Sequence, residues 1–379
     1  MRIRTSAGRG QRVCGVLIVA LVLMAALLPV PAAGRQATPT LSCEPIVVEE
    51  PVATPAAVPA QTPGPFTGEA VSITVGYIPI SIYAPVYVAE AKGYYDALGL
   101  DVTLQAFAGG TDPIALTGSG DVDFAAVGAG PAFWNSLALG LPIQIVAPGH
   151  AEGSPVATPL MISRDACLSG EIASVADLRD SKVSINARGG TEYWLGAALA
   201  TGGLTIDDVD LQTIGFPDAI AALDTGAIDA AMVAEPLATL AERQGIAIRL
   251  LPDFPVQDIQ PTAIIGNRDF AAGNPDATTA FVTAYLMAAR DLSGGGFDDP
   301  ANLAIISQYT SVPVDLLAAS VQPLYFPDGE INVESLNTLQ RFFLDRGQLD
   351  YDQPIDPTTA IDGQYVAAAV AVLGPFPAD

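Results

Sequence analysis

The sequence is poor in the side chains on which most enzymes and nucleic-acid-binding proteins depend. The 379-residue chain has a single histidine, His150, three cysteines, and two lysines, Lys92 and Lys182. Its 16 basic residues stand against 41 acidic ones, a net charge of −25. This balance excludes a nucleic acid partner, because a polyanion requires a basic surface. The shortage of His, Cys and Lys also leaves few groups for proton transfer, covalent catalysis or zinc binding.

The first 33 residues have the pattern of a secretory signal peptide. Arginines within the first twelve residues precede an apolar run over residues 13–30, and Pro31-Ala32-Ala33 supplies small residues for cleavage. An uncleaved membrane anchor is the alternative, because the run is about long enough to span a bilayer. We therefore expect an exported protein, periplasmic or on the cell surface, either free or tethered at its N-terminus.

Removal of residues 1–33 leaves two cysteines, Cys43 and Cys167. An oxidising compartment favours a disulfide between them, whereas a lipidated Cys43 is the less supported alternative. Residues 34–70 are rich in proline and are predicted to form an extended linker without a core of their own.

From residue 71 onward, short apolar strands alternate with helical segments. The pattern predicts strands over 72–79, 101–108, 122–127 and 143–147 and a second group of strands after residue 160. Strands separated by helices indicate a mostly parallel α/β sheet.

Two segments of the chain repeat one frame. "ALTGSGDVDFAAVGAGP" (115–131) and "ALDTGAIDAAMVAEP" (222–236) both contain a glycine turn, a short strand, a loop and a proline at the start of the next helix. Asp123 corresponds to Asp229, and Pro131 corresponds to Pro236. The repeat predicts two similar lobes, each directing the carboxyl edge of its sheet at one crevice, where ligands of open α/β sheets bind.

The turn Gly128-Ala129-Gly130 resembles half of a dinucleotide-binding fingerprint. The third small position of that fingerprint is taken by Phe133, and no acidic residue follows the next strand. We therefore expect no nucleotide cofactor, and no other cofactor is predicted.

Glycine turns that lead into helices, together with nearby aromatic and acidic residues, are the candidate ligand site. Backbone N–H groups at such helix starts attract anionic or oxygen-rich groups, and aromatic walls are typical of small-molecule pockets. For each aromatic residue core packing is the alternative; Glu192 could instead offset a helix dipole, and Glu235 could be a solvated acid. The candidates are Tyr77, Tyr83, Gly109, Gly110, Thr111, Gly128, Gly130, Trp134, Gly190, Thr191, Glu192, Tyr193, Phe216 and Glu235.

Over residues 71–374 the chain resembles the periplasmic binding proteins for nitrate, sulfonates, taurine and thiamine-pyrimidine precursors. The resemblance rests on "YVAEAKGYYDALGLDV", "SVADLRDSKVSI", "GGTEYWL", "AIDAAMVAEP" and "AIDGQYVAAAVAVLG". It implies an α/β, two-lobed type II binding fold with a ligand cleft between the lobes. It further implies a first lobe over 71–157, a second lobe over 158–263 and a helical return to the first lobe over 264–379.

The resemblance also implies a function: a monomeric receptor that closes over a small solute and delivers it to an ABC permease and, indirectly, its ATPase. The solute is expected to be a sulfonate- or nitrate-like anion, or a heteroaromatic such as a pyrimidine, a thiamine precursor or riboflavin. An enzyme related to thiamine-pyrimidine synthesis is an alternative, as is a ligand sensor without an importer. The few catalytic side chains favour a protein that is not an enzyme.

Overall fold

The computed structural model describes residues 43–44, 63–66, 69–257 and 259–377. The predicted signal peptide and most of the proline-rich linker lie outside these residues. The described strands are β1 (Val71–Tyr77), β2 (Leu100–Ala106), β3 (Phe124–Gly128), β4 (Ile143–Pro148), β5 (His150–Ala151), β6 (Leu160–Ser163), β7 (Lys182–Ile185), β8 (Asp210–Thr213), β9 (Ala230–Met232), β10 (Ala247–Leu251), β11 (Thr262–Asn267) and β12 (Leu324–Tyr325).

Ten of these strands form two five-stranded sheets of the same design. The first sheet has the order β2-β1-β3-β11-β4 and the second the order β10-β6-β9-β7-β8. In the first, β1 is parallel to β2 and β3, and β11 runs antiparallel to both of its neighbours. In the second, β7 is parallel to β8 and β9, and β6 runs antiparallel to both of its neighbours. Each sheet thus receives one antiparallel strand next to its third parallel strand.

Helices cover both sheets. They are α1 (Ala84–Ala91), α2 (Tyr94–Ala97), α3 (Thr111–Ser119), α4 (Pro131–Ala138), α5 (Arg164–Ser169), α6 (Gly190–Thr201), α7 (Phe216–Asp224), α8 (Leu237–Arg243), α9 (Arg268–Gly273), α10 (Pro275–Leu292), α11 (Pro300–Thr310), α12 (Val314–Ala318), α13 (Val333–Asp345) and α14 (Gln364–Leu373). No helix within the described residues is long and apolar enough to cross a membrane.

The chain is an α/β protein with two lobes, as the sequence predicts. Apolar side chains of α1, α10, α11 and α14 pack on one face of the first sheet, and those of α7 and α8 on one face of the second. A further core joins α4, α6 and α13 across both lobes. The return strand β11 begins at Thr262, and the chain crosses between the sheets twice, between β4 and β6 and between β10 and β11.

The repeated frame has the same structural role in both lobes. The carboxylate of Asp123 accepts a hydrogen bond from the backbone N–H of Thr74, at 2.8 Å. The carboxylate of Asp229 accepts the corresponding bond from the N–H of Lys182, at 2.7 Å. Each aspartate therefore fixes the third parallel strand of its sheet against the first.

Candidate functional site

A cavity of about 970 Å³ lies between the two lobes, where the parallel strands of both sheets end. The first lobe contributes the segments after β1, β2, β3 and β4, and the second lobe contributes those after β7, β8 and β9. This is the edge at which ligands of open α/β sheets bind. Volumes of about 300–1,000 Å³ are typical of pockets for drug-sized molecules.

Among the helices that begin at this cavity, three have an N-cap glycine that itself lines the cavity and makes no side-chain hydrogen bond. The caps are Gly110 for α3, Gly130 for α4 and Gly189 for α6. Their first N–H groups are therefore left for a ligand or water, and the dipoles of these helices bring partial positive charge to the cavity. Gly189 has a φ of +119°, a conformation that only glycine adopts without strain.

The structure brings most of the sequence-predicted site residues to the cavity, but not all of them. Those that line it are Tyr83, Gly110, Thr111, Gly128, Gly130, Gly190, Thr191, Phe216 and Glu235. Those outside its lining are Tyr77, Gly109, Trp134, Glu192 and Tyr193.

The aromatic residues outside the lining are committed to packing. Trp134 is fully buried, and its indole N–H donates to the carbonyl of Ala129 at 3.1 Å. The ring of Tyr77 packs against that of Tyr87, with centroids 5.8 Å apart. Tyr193 meets Phe342 edge to face at 5.2 Å. Core packing, the alternative to a role in ligand binding, therefore describes these three aromatic side chains.

Glu192 is fully buried beneath the cavity wall rather than exposed to a ligand. Its carboxylate accepts from Nε of Arg346 at 2.8 Å and from Nε2 of Gln348 at 2.6 Å. Arg346 and Gln348 themselves line the cavity. The carboxylate thus holds two cavity residues in place, and the backbone carbonyl of Gln348 also accepts from Nδ2 of Asn135 on α4, at 3.3 Å.

Glu235 lines the cavity, but its carboxylate is occupied inside the protein. It accepts from Nη2 of Arg249 at 2.6 Å and from the hydroxyl of Thr239 at 3.0 Å. The N–H of Val321, in the C-terminal part of the chain, donates to the same oxygen at 3.2 Å. Little acceptor capacity is left for a ligand.

The sequence analysis missed several residues of the cavity wall. Glu152 lies on the first crossover between the lobes, and its carboxylate accepts from Nε1 of Trp194 at 2.8 Å and from the N–H of Ala157 at 2.6 Å. Burial raises the pKa of Glu152, and these hydrogen bonds partly offset that rise. His150 also lines the cavity. So does Arg188, for which the sequence allows either an anionic ligand or the acidic residues of the protein as a partner. His150 and Glu152 carry no local sequence signal, because their position on the crossover between the two lobes brings them to the site.

His150 is buried at the hinge side of the cavity, where Nδ1 lies 2.7 Å from the hydroxyl of Thr262. Burial lowers the pKa of His150 to about 3. An unfolded histidine takes up a proton near pH 6.5. Between these values the unfolded chain binds more protons, so this group favours folding above pH 6.5 and loses that contribution as the pH falls.

We expect this histidine to remove about 2 kcal/mol of unfolding free energy between pH 7 and pH 5. Urea denaturation at both pH values would measure the loss, and His150→Gln should lack it. Because the two proteins have the same carboxylates, the difference between their losses of unfolding free energy gives the contribution of the histidine. An identical loss in both proteins would contradict the assignment of this pH dependence to His150.

Cys43 and Cys167 are joined by a disulfide, with Cα atoms 5.8 Å apart. Cys167 lies on α5 of the second lobe, so this bond attaches the segment before the fold to that lobe. The described residues contain no group of three or more His, Cys, Asp or Glu side chains that could hold a metal ion.

A family model described as NMT1/THI5 like matches residues 81–293, more than half of the chain. The riboflavin-binding protein RibY of Chloroflexus aurantiacus is 31% identical over 244 residues, which are 63% of this chain and 67% of that protein.

Solved structures with the same fold include both a binding protein and an enzyme. The periplasmic nitrate-binding protein NrtA of Synechocystis PCC 6803 superposes with a TM-score of 0.64 at 18% identity, covering 82% of this chain and 92% of that one. The desulfurization enzyme DSZB has a TM-score of 0.58 at 16% identity, covering 79% and 99%. At such identities these likenesses concern the fold alone. The sequence match and the two-lobed architecture together establish that this chain belongs to the NMT1/THI5-like family.

Proposed function

We propose that the protein is the extracytoplasmic solute-binding component of an ABC importer. It closes two lobes over a small organic solute with a flat ring and presents that solute to a membrane permease. The observation that carries this proposal is the cavity of about 970 Å³ between the lobes, lined by the carboxyl ends of strands from both sheets. A ligand that contacts both lobes stabilises their closed arrangement and shifts the open–closed equilibrium.

Polar contacts join the two lobes beside the cavity. Nη1 of Arg243 on α8 lies 3.0 Å from the carboxylate of Asp315 on α12. On the opposite side, Arg346 joins Glu192 of α6, while the neighbouring Gln348 contacts α4 of the first lobe. The pair of Arg243 and Asp315 is exposed and contributes little stability by itself, so contacts of a bound ligand with both lobes can shift the equilibrium between their open and closed arrangements.

The size and lining of the cavity favour a ring system over a small inorganic ion. Ile78, Ile80, Ile82, Phe216 and Leu237 provide apolar surface. A nitrate ion would leave most of this surface without a partner, whereas a heteroaromatic ring would bury it, at about 25 cal/mol per Å². The similarity to a riboflavin-binding protein agrees with a flavin-like solute.

The available side chains favour binding over catalysis. Lys92 pairs with Asp291 at 2.7 Å, and neither Lys92 nor Lys182 lines the cavity. Burial keeps the imidazole of His150 neutral through its low pKa, and its Nδ1 is engaged by Thr262. Both cysteines of the described chain are joined in the disulfide.

Thermal-shift measurements on the purified protein would test the proposed function. The panel is riboflavin, an aromatic sulfonate, an aminopyrimidine, thiamine, taurine and nitrate. A specific ligand at about 100 times its dissociation constant should add about 2.7 kcal/mol of stability. We expect stabilisation by a ring-containing solute and none by nitrate; stabilisation by nitrate alone would contradict the proposed solute class.

Phe216→Ala should weaken the binding of the ring-containing solute about tenfold or more, because truncation removes apolar contact at the cavity wall. Isothermal titration calorimetry would measure the dissociation constant. Leu139→Ala is the control, since Leu139 is 77% exposed and outside the cavity lining. Equal affinities of Phe216→Ala and the unchanged protein would remove Phe216 from the site.

A further inference from the structure

The cavity has two chemically different flanks. One flank, here called the polar flank, consists of Arg188, Arg346 and Gln348 beside α4, α6 and α13. The other, the apolar flank, consists of Ile78, Ile80, Ile82, Leu237 and Val312, beside α1, α8 and α12. The ion pair between α8 and α12 closes the apolar flank, and the contacts of Glu192 with Arg346 and Gln348 close the polar flank. Helices α4, α6 and α13 pack in the core on one face of the sheets, and α1, α8 and α12 pack in the cores on the other face, so the two sets lie on opposite sides of the cleft.

The two arginines of the polar flank differ in how far they are neutralised. Arg346 bonds Glu192 at 2.8 Å and Asp207 at 2.8 Å, so two carboxylates compensate its charge. Nη1 of Arg188 lies 3.6 Å from Glu192, beyond the usual hydrogen-bond length, and this is its one ion pair within the described residues. Glu192 is thus shared by two guanidinium groups, which leaves positive charge at Arg188.

The acidic residues of the cavity offer no matching site for a cation. Glu152 accepts from Trp194, Ala157 and Thr158, at 2.6–3.0 Å. Glu235 is bound by Arg249 and Thr239 and by the N–H of Val321. Both carboxylates are filled by donors of the protein, whereas the guanidinium of Arg188 keeps most of its five N–H donors available.

We infer that Arg188 is a specificity-determining residue that selects a ligand with an anionic group attached to its ring system. The ring lies against the apolar flank, and the anionic group points to Arg188. This inference rests on the proposed solute-binding function and adds to it the charge and the orientation of the solute. A planar guanidinium suits carboxylate, sulfonate and phosphate groups, which it can bind with two parallel N–H donors.

A pair of dyes that share one ring system tests this inference without knowledge of the natural solute. The dyes 1-anilinonaphthalene-8-sulfonate and N-phenyl-1-naphthylamine differ by the sulfonate alone, and their fluorescence rises in apolar surroundings. We expect the sulfonate dye to bind about tenfold more tightly than the neutral dye. Arg188→Gln should weaken the sulfonate dye about tenfold and leave the neutral dye unchanged, because a charge-assisted hydrogen bond is lost.

Arg179→Gln is the matched control, since Arg179 is 55% exposed, as is Arg188, and lies outside the cavity lining. Arg188→Lys should recover part of the affinity by restoring the charge. Equal affinities of the two dyes, or an Arg188→Gln variant with unchanged preference, would overturn the inference. Failure of both dyes to bind would overturn the assignment of the apolar flank. Failure of the proposed function would instead show as the lack of a stabilising natural solute, with the dye preference intact.

Discussion

Replacing Arg249 by methionine should lower the free energy of unfolding by about 3–5 kcal/mol, because it leaves two buried carboxylates without their cation. Arg249 lies on β10 with its side chain 1% exposed. Its Nη2 is 2.6 Å from Glu235, and its Nε is 3.0 Å from Glu242. Both carboxylate side chains are 4% exposed.

The pKa shifts of Glu242 and Arg249 show how far these two groups depend on their charged partners. Burial raises the pKa of Glu242, and the charge of Arg249 counteracts this rise. Burial lowers the pKa of Arg249, but the charges of Glu235 and Glu242 more than offset that effect, so its pKa lies above the usual value. Without the arginine, each carboxylate must either take up a proton or remain charged in a medium of low dielectric constant.

Chemical denaturation followed by circular dichroism would measure the loss of unfolding free energy in Arg249→Met. Arg243→Met is the matched control, because Arg243 is 44% exposed and its partner Asp315 is 79% exposed. An exposed pair contributes at most about 1 kcal/mol. Equal losses in the two variants would show that burial of the network does not determine its contribution. Because Glu235 also receives the N–H of Val321, loss of Arg249 should weaken the contact between the lobes as well.

The sequence predicted the parts of the fold that local pattern encodes. The paired segments around Asp123 and Asp229 became equivalent third strands with equivalent hydrogen bonds. The glycine turns before α3, α4 and α6 lie at the cavity, because the ends of parallel strands share one edge of a sheet. Phe216 begins α7, where the following Pro217 sets a helical start.

The remainder of the site depends on contacts between residues far apart in the chain. Glu192 is turned away from the cavity by Arg346, which lies 154 residues later. His150 and Glu152 reach the cavity because they lie on a crossover between lobes, for which periodicity gives no signal. The local sequence around Trp134 and Tyr77 resembles that around residues that line the cavity. Packing against residues distant in the chain decides on which side each ring lies.

Loss of the disulfide should have the second large effect on stability. The bond joins Cys43 to Cys167 across 124 positions of sequence, so it restricts a long loop in the unfolded chain. In the chain-entropy description such a restriction stabilises the folded state by up to about 5 kcal/mol, and measured losses on removal of native disulfides are about 2–5 kcal/mol. Cys167 is 7% exposed among the apolar residues of the core, whereas Cys43 is only partly buried.

Cys43→Ser is therefore a better test than Cys167→Ser, because it breaks the bond without placing a hydroxyl in the core. We expect it to unfold about 2–5 kcal/mol more readily than the unchanged protein in denaturant under oxidising conditions. In the presence of dithiothreitol the two proteins should become equally stable, since reduction breaks the same bond in the unchanged protein. A difference that persists after reduction would assign the loss to the serine rather than to the disulfide, and equal stability under oxidising conditions would show that the bond does not restrict the unfolded chain.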